Sequence, residues 1–131
     1  MKRTAVVVKN SPDGKRSIAI DSLNAEQILS ILQQNNLVKK FDLICNTILS
    51  GIRNTDLYDK ENINDRCKKV TAMKFKGKPN ARIYCKEIKA DDKTLIVVCA
   101  EMLENKKNQK NQHREINLIE KVAGYEYSVQ Q

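Results

Sequence analysis

Residues 94–100 read Thr-Leu-Ile-Val-Val-Cys-Ala, an apolar run with the composition of a central β-strand. In two stretches before it, apolar residues alternate with basic or polar ones. In residues 74–76 (Lys-Phe-Lys) and 81–86 (Ala-Arg-Ile-Tyr-Cys-Lys), basic or polar residues take every second position and apolar residues lie between them. This period of two places the two kinds of side chain on opposite faces of a strand. The segment 68–100 therefore predicts antiparallel strands that share one buried face and one cationic face.

Two helices are predicted ahead of these strands. From Phe41 to Ile52, apolar residues recur with the spacing of one helical face, which predicts a helix over residues 38–53. A shorter helix is predicted over residues 24–34, where Asn24 precedes Gln27 in the manner of a capping box. Both helices present an apolar side that can pack on the sheet.

The two ends of the chain add smaller elements. Pro-Asp-Gly at residues 12–14 is a turn sequence between two β-prone runs, so residues 1–22 predict a hairpin. After the apolar strand come a basic loop, a short helix that Gly124 closes, and an extended tail. The fold class predicted is α+β: an antiparallel sheet of about four strands, two N-terminal helices on one face, a short C-terminal helix, and an additional N-terminal β-hairpin. We expect one domain, residues 1–131, divided into 1–22, 24–53, 68–100 and 106–131.

Composition and length exclude several classes of protein. A chain of 131 residues with 40% hydrophobic residues can build one core, unlike a disordered or collagen-like chain. No apolar run approaches the roughly 18 residues that a membrane span needs. The run after Met1-Lys2-Arg3 is too short for a signal peptide. We therefore expect a cytoplasmic protein.

The four cysteines do not form a metal-binding pattern. They are spaced far apart, with no Cys-x-x-Cys pair, so zinc has no sequence signature here. In a reducing compartment a buried thiol behaves as a small apolar group. We expect Cys45, Cys85 and Cys99 to be reduced and buried, whereas Cys67 lies among charges and its role stays open. We expect no metal and no cofactor.

The net charge of +8 is unevenly distributed. No acidic residue lies between Arg66 and Lys86, a stretch with eight basic ones, and a second acid-free block spans residues 105–114. Cations without counter-charges repel one another, and a polyanion relieves that repulsion. Nucleic acid fits best, because neutralising its phosphates releases condensed counterions. The alternative interpretation is a solvated face that keeps the protein soluble.

The order of two helices, three antiparallel strands, a basic loop and a short helix resembles the RelE/ParE superfamily, the HigB/RelE-like toxins of bacterial type II toxin–antitoxin modules. The most specific part is residues 95–115, where a hydrophobic strand leads into a Lys106-Lys107-x-Gln109-Lys110 segment and a helix opens soon afterwards. A second part is the basic turn at residues 76–78, which leads into the strand that carries Arg82. The N-terminal hairpin departs from the single first strand of that family.

The resemblance implies a RelE-like microbial RNase fold and a metal-independent messenger RNA endoribonuclease, often acting on the ribosome and neutralised by a small antitoxin protein. Cleavage is by attack of a 2′-hydroxyl on the neighbouring phosphodiester, which needs a base, an acid and cations. Members of the family commonly use Lys, Arg and Tyr for this. The matching catalytic candidates are Arg82, Lys76, Tyr127 and His113. The matching nucleic-acid-binding candidates are Lys74, Lys78, Tyr84, Lys86, Lys106, Lys107, Lys110 and Arg114.

Individual roles follow from these matches. By resemblance, Arg82 meets the scissile phosphate, and Tyr125 or Tyr127 stacks on a base or acts as an acid. His113 is the one histidine, and its ordinary pKa suits proton transfer near neutral pH, although an exposed polar residue at a helix start is the plainer interpretation. All these roles require the unpaired lysines and arginines to converge on one concave surface. They fail if each of these cations is instead tied up by aspartate or glutamate from elsewhere.

Two other function classes remain open at this point. A superfamily member can act by binding a protein without cleaving RNA, as gyrase-poisoning relatives do, and this sequence has no evident acid–base pair. A basic nucleic-acid-binding module without catalysis is the other alternative. Only five aromatic residues follow Phe41, without the stacked strand aromatics of a common single-strand RNA reader, which argues against this module.

Overall fold

The computed structural model describes residues 2–106 and 113–131. Within those ranges, seven strands form one mixed sheet in the order β3-β4-β5-β6-β2-β1-β7. The strands are β1 Arg3–Asn10, β2 Arg16–Asp21, β3 Tyr58–Lys60, β4 Val70–Phe75, β5 Ala81–Lys89, β6 Leu95–Leu103 and β7 Tyr127–Gln130; the helices are α1 Ala25–Gln34, α2 Val38–Leu49 and α3 His113–Ala123.

The prediction of about four antiparallel strands is wrong. Strands β3 to β6 pair antiparallel with their neighbours, but β2 pairs parallel with β6 and β1 pairs parallel with β7. The N-terminal hairpin is therefore no appendage, because it extends the same sheet past β6. Residues 17–21 are all buried, as expected for a strand covered on both faces. Parallel pairs join segments that are distant in sequence, which is why local patterns did not reveal them.

Helices cover both faces of the sheet. α1 and α2 pack on one face through Ile28 and Ile44, against inward-facing strand residues such as Ile83. α3 lies on the other face, where Ile119 and Val122 are fully buried. The molecule therefore has three layers, and the two faces of each strand meet different helices. No helix in the described ranges is long and apolar enough to cross a membrane.

The four cysteines are free and buried. Cys45 and Cys85 contribute to the core under α1 and α2, and Cys67 contributes to the core under α3. Burial raises the pKa of the Cys45 and Cys67 thiols, which keeps these thiols protonated and poorly nucleophilic.

Candidate functional site

The alternation of β5 determines which side chains reach the α3 side of the sheet. Ile83 and Cys85 belong to the core under α1 and α2, whereas Tyr84 belongs to the core under α3. Arg82 and Lys86 share the face of Tyr84, because side chains two residues apart in a strand point the same way. β5 thus carries two basic side chains and a tyrosine towards α3.

Cations from three segments lie near the start of β5, and the ammonium of one of them, Lys74, donates to the Thr55 carbonyl at 3.1 Å. Lys74 on β4 is directly opposite Arg82 on β5, and Lys106 follows the end of β6. Burial lowers the pKa of Arg82. Burial also lowers the pKa of Lys106, and the charges of Arg82 and Lys74 lower it further, against the opposing charges of Glu61 and Glu115. We call this group the Arg82 cluster: Glu61, Lys74, Arg82, Tyr84, Lys106 and Glu115.

Asn80 holds the cluster together. Its Oδ1 accepts a hydrogen bond of 2.7 Å from Arg82 Nη1, and its Nδ2 donates to the Lys106 carbonyl at 2.8 Å. The Lys106 backbone N–H donates in return to the Asn80 carbonyl at 2.7 Å. Arg82 Nη1 also donates to the Ala81 carbonyl at 2.9 Å. These bonds fix the guanidinium and the start of the Lys106 side chain beside one another, so their separation is set before any ligand arrives.

Two carboxylates enter the cluster from distant segments. Glu61 lies before β4. Its negative charge opposes the lowering of the Arg82 pKa by burial and adds to the raising of the Tyr84 pKa by burial. Glu115 is in the first turn of α3 and is only 1% exposed. The prediction of a cationic surface free of carboxylates is therefore wrong. A sequence signal for Glu115 exists: it shares the spacing of Ile119 and Val122, so it lies on the apolar side of α3.

Two buried atoms in this cluster lack hydrogen-bond partners. Among the described residues, Tyr84 Oη and Glu115 Oε2 are the buried side-chain atoms left without one. Glu115 Oε2 lies 3.9 Å from Arg114 Nε, too far for a hydrogen bond. Burial raises the pKa of Tyr84, and the charges of Glu61 and Glu115 raise it further. Such orphaned groups cost about 1–3 kcal/mol each, and native structures contain few of them.

Several predicted site residues lie elsewhere. Lys76 Nζ forms an exposed ion pair with Asp56 Oδ1 at 3.1 Å, and Lys78 is exposed in the turn before β5. Lys86 Nζ donates to the carbonyls of Ala123 and Tyr125, where it caps the end of α3, and burial lowers its pKa. The structure therefore does not bring Lys76, Lys78 and Lys86 into the Arg82 cluster.

Tyr127 is remote from the cluster. It begins β7, four strands from β5 in the sheet, a distance of about 19 Å at the usual strand spacing. Its hydroxyl donates to Asp21 Oδ2 at 2.6 Å. Tyr125 donates to Glu101 Oε2 in a similar pair. Both hydroxyls are thus engaged in the packing of the C-terminal segment.

The remaining predicted residues lie around the start of α3. His113 and Arg114 are exposed in its first turn, and Arg114 Nη2 donates to the Asn105 carbonyl at 3.2 Å. Lys107 and Lys110 lie outside the described residues. Of the predicted set, the structure brings together Arg82, Lys74, Tyr84 and Lys106, with Arg114 at the edge. Sequence reasoning missed Glu61, Asn80 and Glu115.

No protein-family model, no curated protein and no solved structure matches this chain. Within the described residues, no three histidine, cysteine or acidic side chains are grouped to hold a metal ion. What the Arg82 cluster can do must therefore follow from its own side chains. It offers cations for an anionic group, a carboxylate that can accept a proton, and ammonium and phenol groups that can donate one.

Proposed function

We propose that this protein is an endoribonuclease that binds an RNA phosphodiester at the Arg82 cluster and cleaves it without a metal ion. The observation that supports the proposal is the fixed, buried juxtaposition of Arg82 and Lys106, with Lys74 on the adjacent strand. Because their positions are fixed, both cations can contact one phosphate directly, alongside the opposing charges of Glu61 and Glu115. The resemblance to RelE/ParE toxins supports messenger RNA as substrate and a small antitoxin as partner.

The reaction is an internal transfer of the phosphoryl group. The 2′-hydroxyl gives its proton to a carboxylate of the Arg82 cluster as the 2′-oxygen forms a bond to phosphorus. The bond from phosphorus to the 5′-oxygen breaks, and the products are a 2′,3′-cyclic phosphate and a 5′-hydroxyl. Arg82 presents parallel N–H donors to the non-bridging oxygens and stabilises the charge that develops there. Lys106, whose pKa burial lowers, supplies the proton that the leaving 5′-oxygen takes up.

The test is cleavage of an end-labelled RNA oligonucleotide by the purified protein in the presence of a metal chelator. We expect products with 2′,3′-cyclic phosphate ends, and a loss of about 100-fold or more in kcat for Arg82→Gln, the scale of losing one donor to the developing charge. Arg53→Gln is the matched control, because Arg53 is exposed in the segment after α2, on the opposite side of the sheet. Intact RNA with wild-type protein, or equal rates for wild type and Arg82→Gln, would overturn the proposal.

Controlled expression in bacteria tests the toxin assignment. Wild type is expected to arrest growth and to create new transcript ends, and Arg82→Gln is expected to do neither. Growth arrest without new ends would instead identify a toxin that acts by binding a protein. Harmless expression of the wild type in the absence of any antitoxin would remove the toxin assignment.

A further inference from the structure

A second group of cations lies at the other end of β5 from the Arg82 cluster. The strand ends at Lys89, about 23 Å along its length from Arg82. A cavity of about 410 Å³ lies there, between the turn that joins β1 to β2, the turn that joins β5 to β6, and the end of α2. We call it the Lys93 cavity. Its lining includes the basic residues Lys15, Arg16, Lys89 and Lys93 and the carboxylate of Asp13.

Hydrogen bonds hold the two turns of this cavity together. The Leu95 N–H donates to the Lys15 carbonyl at 2.9 Å. Thr94 Oγ1 donates to the Gly14 carbonyl at 3.4 Å. The side chains of Lys15 and Lys93 therefore start from backbone positions that are fixed relative to one another. Their charges are held at one place on the surface before any ligand arrives.

The aspartates of these turns are already engaged with the backbone. Asp13 Oδ1 accepts from the Lys15 N–H at 2.9 Å. Asp92 Oδ1 accepts from the Thr94 N–H at 3.0 Å. Neither Asp91 nor Asp92 lines the cavity, although both precede Lys93 directly in the chain. The sequence thus suggests a neutral turn, whereas the folded chain presents mainly cations to the cavity.

Three of the four cations have no partner among the described residues. Lys15, Lys89 and Lys93 are exposed, and within that part of the chain none of them forms an ion pair or a side-chain hydrogen bond. The fourth, Arg16, donates from Nη1 to the Ile48 carbonyl at 3.4 Å, near the end of α2. Three ammonium groups around one cavity attract a ligand with several negative charges.

Lys93 adopts a backbone conformation that lysine disfavours. Its φ is +70°, in the left-handed region that glycine adopts without a steric penalty. The Lys93 N–H closes the turn by donating to the Ala90 carbonyl at 2.8 Å, a bond that glycine forms equally well. This position therefore supplies a charge to the cavity at a cost in stability. Strain of that kind is typical of residues that bind a ligand.

We propose that the Lys93 cavity is a second phosphate-binding site, where Lys15, Lys89 and Lys93 hold the backbone of an RNA strand outside the cleaved nucleotide. The choice of RNA rests on the proposed ribonuclease function. Lysine binds phosphate as a point charge and reads no base. Within the described residues, the apolar side chains of the lining are the half-buried Leu49 and Leu95, which form no deep pocket for a peptide anchor. A phosphate backbone needs none.

The two sites contact different parts of one strand. Arg82 faces α3, whereas the Lys93 cavity adjoins the end of α2, so an RNA that reaches both passes over the end of the sheet. Binding at one site raises the effective concentration of the strand at the other. The second site therefore increases affinity for long RNA without selecting a sequence.

The test is the binding of a 2′-O-methyl RNA of twenty nucleotides, followed by fluorescence anisotropy over a series of salt concentrations. At about 0.1 M salt, Lys89→Gln/Lys93→Gly should bind about tenfold more weakly than wild type, and the slope of log K against log salt should fall by about 1.4, the value for two phosphate contacts. Lys39→Gln/Lys121→Gln is the matched control. It removes two exposed lysines from the first turn of α2 and from α3, and should keep the wild-type affinity and slope.

The single variant Lys93→Gly separates binding from folding. It should weaken RNA binding while raising the melting temperature by about 2 °C, because it relieves the left-handed strain. A lower melting temperature together with weaker binding would identify Lys93 as a structural residue and would overturn its assignment. Circular dichroism gives the melting temperature of each variant.

The remaining outcomes distinguish the two proposals. Equal affinity and slope for wild type and Lys89→Gln/Lys93→Gly, or equal losses in both double variants, would overturn the second site. Binding of a polyglutamate peptide that depends on these lysines, with unchanged RNA affinity, would also overturn it and identify an acidic protein segment as the occupant. Because 2′-O-methyl RNA has no hydroxyl to attack, lysine-dependent binding without cleavage of unmodified RNA would remove only the ribonuclease function.

Discussion

Two tyrosines on the α3 side of the sheet occupy opposite kinds of environment. Tyr127 belongs to the Asp21 network, in which the fully buried Asp21 carboxylate accepts from Arg3 Nε at 2.7 Å, Tyr127 Oη at 2.6 Å and Leu23 N–H at 2.8 Å. Tyr84 lies in the Arg82 cluster, and its hydroxyl has no partner among the described residues. The first region is saturated with hydrogen bonds and stabilises the fold. The second retains unsatisfied groups, as expected where a site is shaped for a ligand.

The largest expected effect comes from breaking the Asp21 network. Asp21→Ala removes the acceptor that three donors share and leaves those donors without a partner. We therefore expect the free energy of unfolding to fall by about 3–5 kcal/mol. Urea denaturation measures this change. Asp91→Ala is the control, because Asp91 is exposed in the turn before β6, and it should change stability by less than about 0.5 kcal/mol. A loss below 1 kcal/mol for Asp21→Ala would show that this network does not stabilise the fold.

Removing one hydroxyl from the same network should have a smaller effect. Tyr127→Phe deletes the hydrogen bond to Asp21 and leaves the carboxylate two donors, so the expected loss is about 1.5–3 kcal/mol by urea denaturation. RNA cleavage at a temperature well below the melting point should be unchanged. A variant that is stable but inactive would place Tyr127 in catalysis, as the sequence resemblance implies.

The corresponding change in the Arg82 cluster should have the opposite sign. Tyr84→Phe removes a buried hydroxyl that has no partner, so the free energy of unfolding should rise by about 1 kcal/mol. Comparison of the urea midpoints of Tyr84→Phe and Tyr127→Phe under identical conditions gives the sign directly. Destabilisation of both variants would mean that Tyr84 already has a partner in the free protein.

The last expected effect, which is absent at neutral pH, is on the pH dependence of stability. Burial is the main cause that raises the pKa at each of the four tyrosines, and the charges of nearby carboxylates raise the pKa further. Above about pH 10 the unfolded chain loses phenol protons that the folded chain retains. Stability from these groups is therefore complete below pH 10 and decreases as the pH rises above it. Ultraviolet absorbance should report tyrosinate only as circular dichroism reports unfolding; tyrosines that ionise near pH 10 in the folded chain would contradict this.

Local patterns predicted much of what surrounds the site. The composition of residues 94–100 indicated a central strand, and β6 is the fourth of seven strands. The alternation of β5 placed Tyr84 and Ile83 on opposite faces, as observed. The face predicted to be polar and cationic is, however, covered by α3, which buries Tyr84 and Arg82. The parallel pairing of β2 with β6 depends on contacts 79 residues apart, such as Ile18 with Val97, and no local period encodes such a pairing.

The candidate site could be predicted only in part. Arg82 and Lys106 were found from charge, but charge alone does not distinguish them from Lys86, which caps α3, or Lys76, which pairs with Asp56. The partner of a cation depends on tertiary packing, which the sequence pattern does not show. Glu115 could have been predicted from the sequence, because a carboxylate on the apolar side of an amphipathic helix is buried when that side packs on the sheet. Burial of an unpaired charge is costly, so such a residue is a candidate for a functional role.

The most direct test of the account is a crystal structure of the protein with a nucleoside 3′-monophosphate, which keeps the 2′-hydroxyl and the phosphate but has no bond to cleave. We predict the phosphate oxygens within about 3 Å of the Arg82 guanidinium and the Lys106 ammonium. A nucleotide whose phosphate is bound elsewhere on the protein would contradict it.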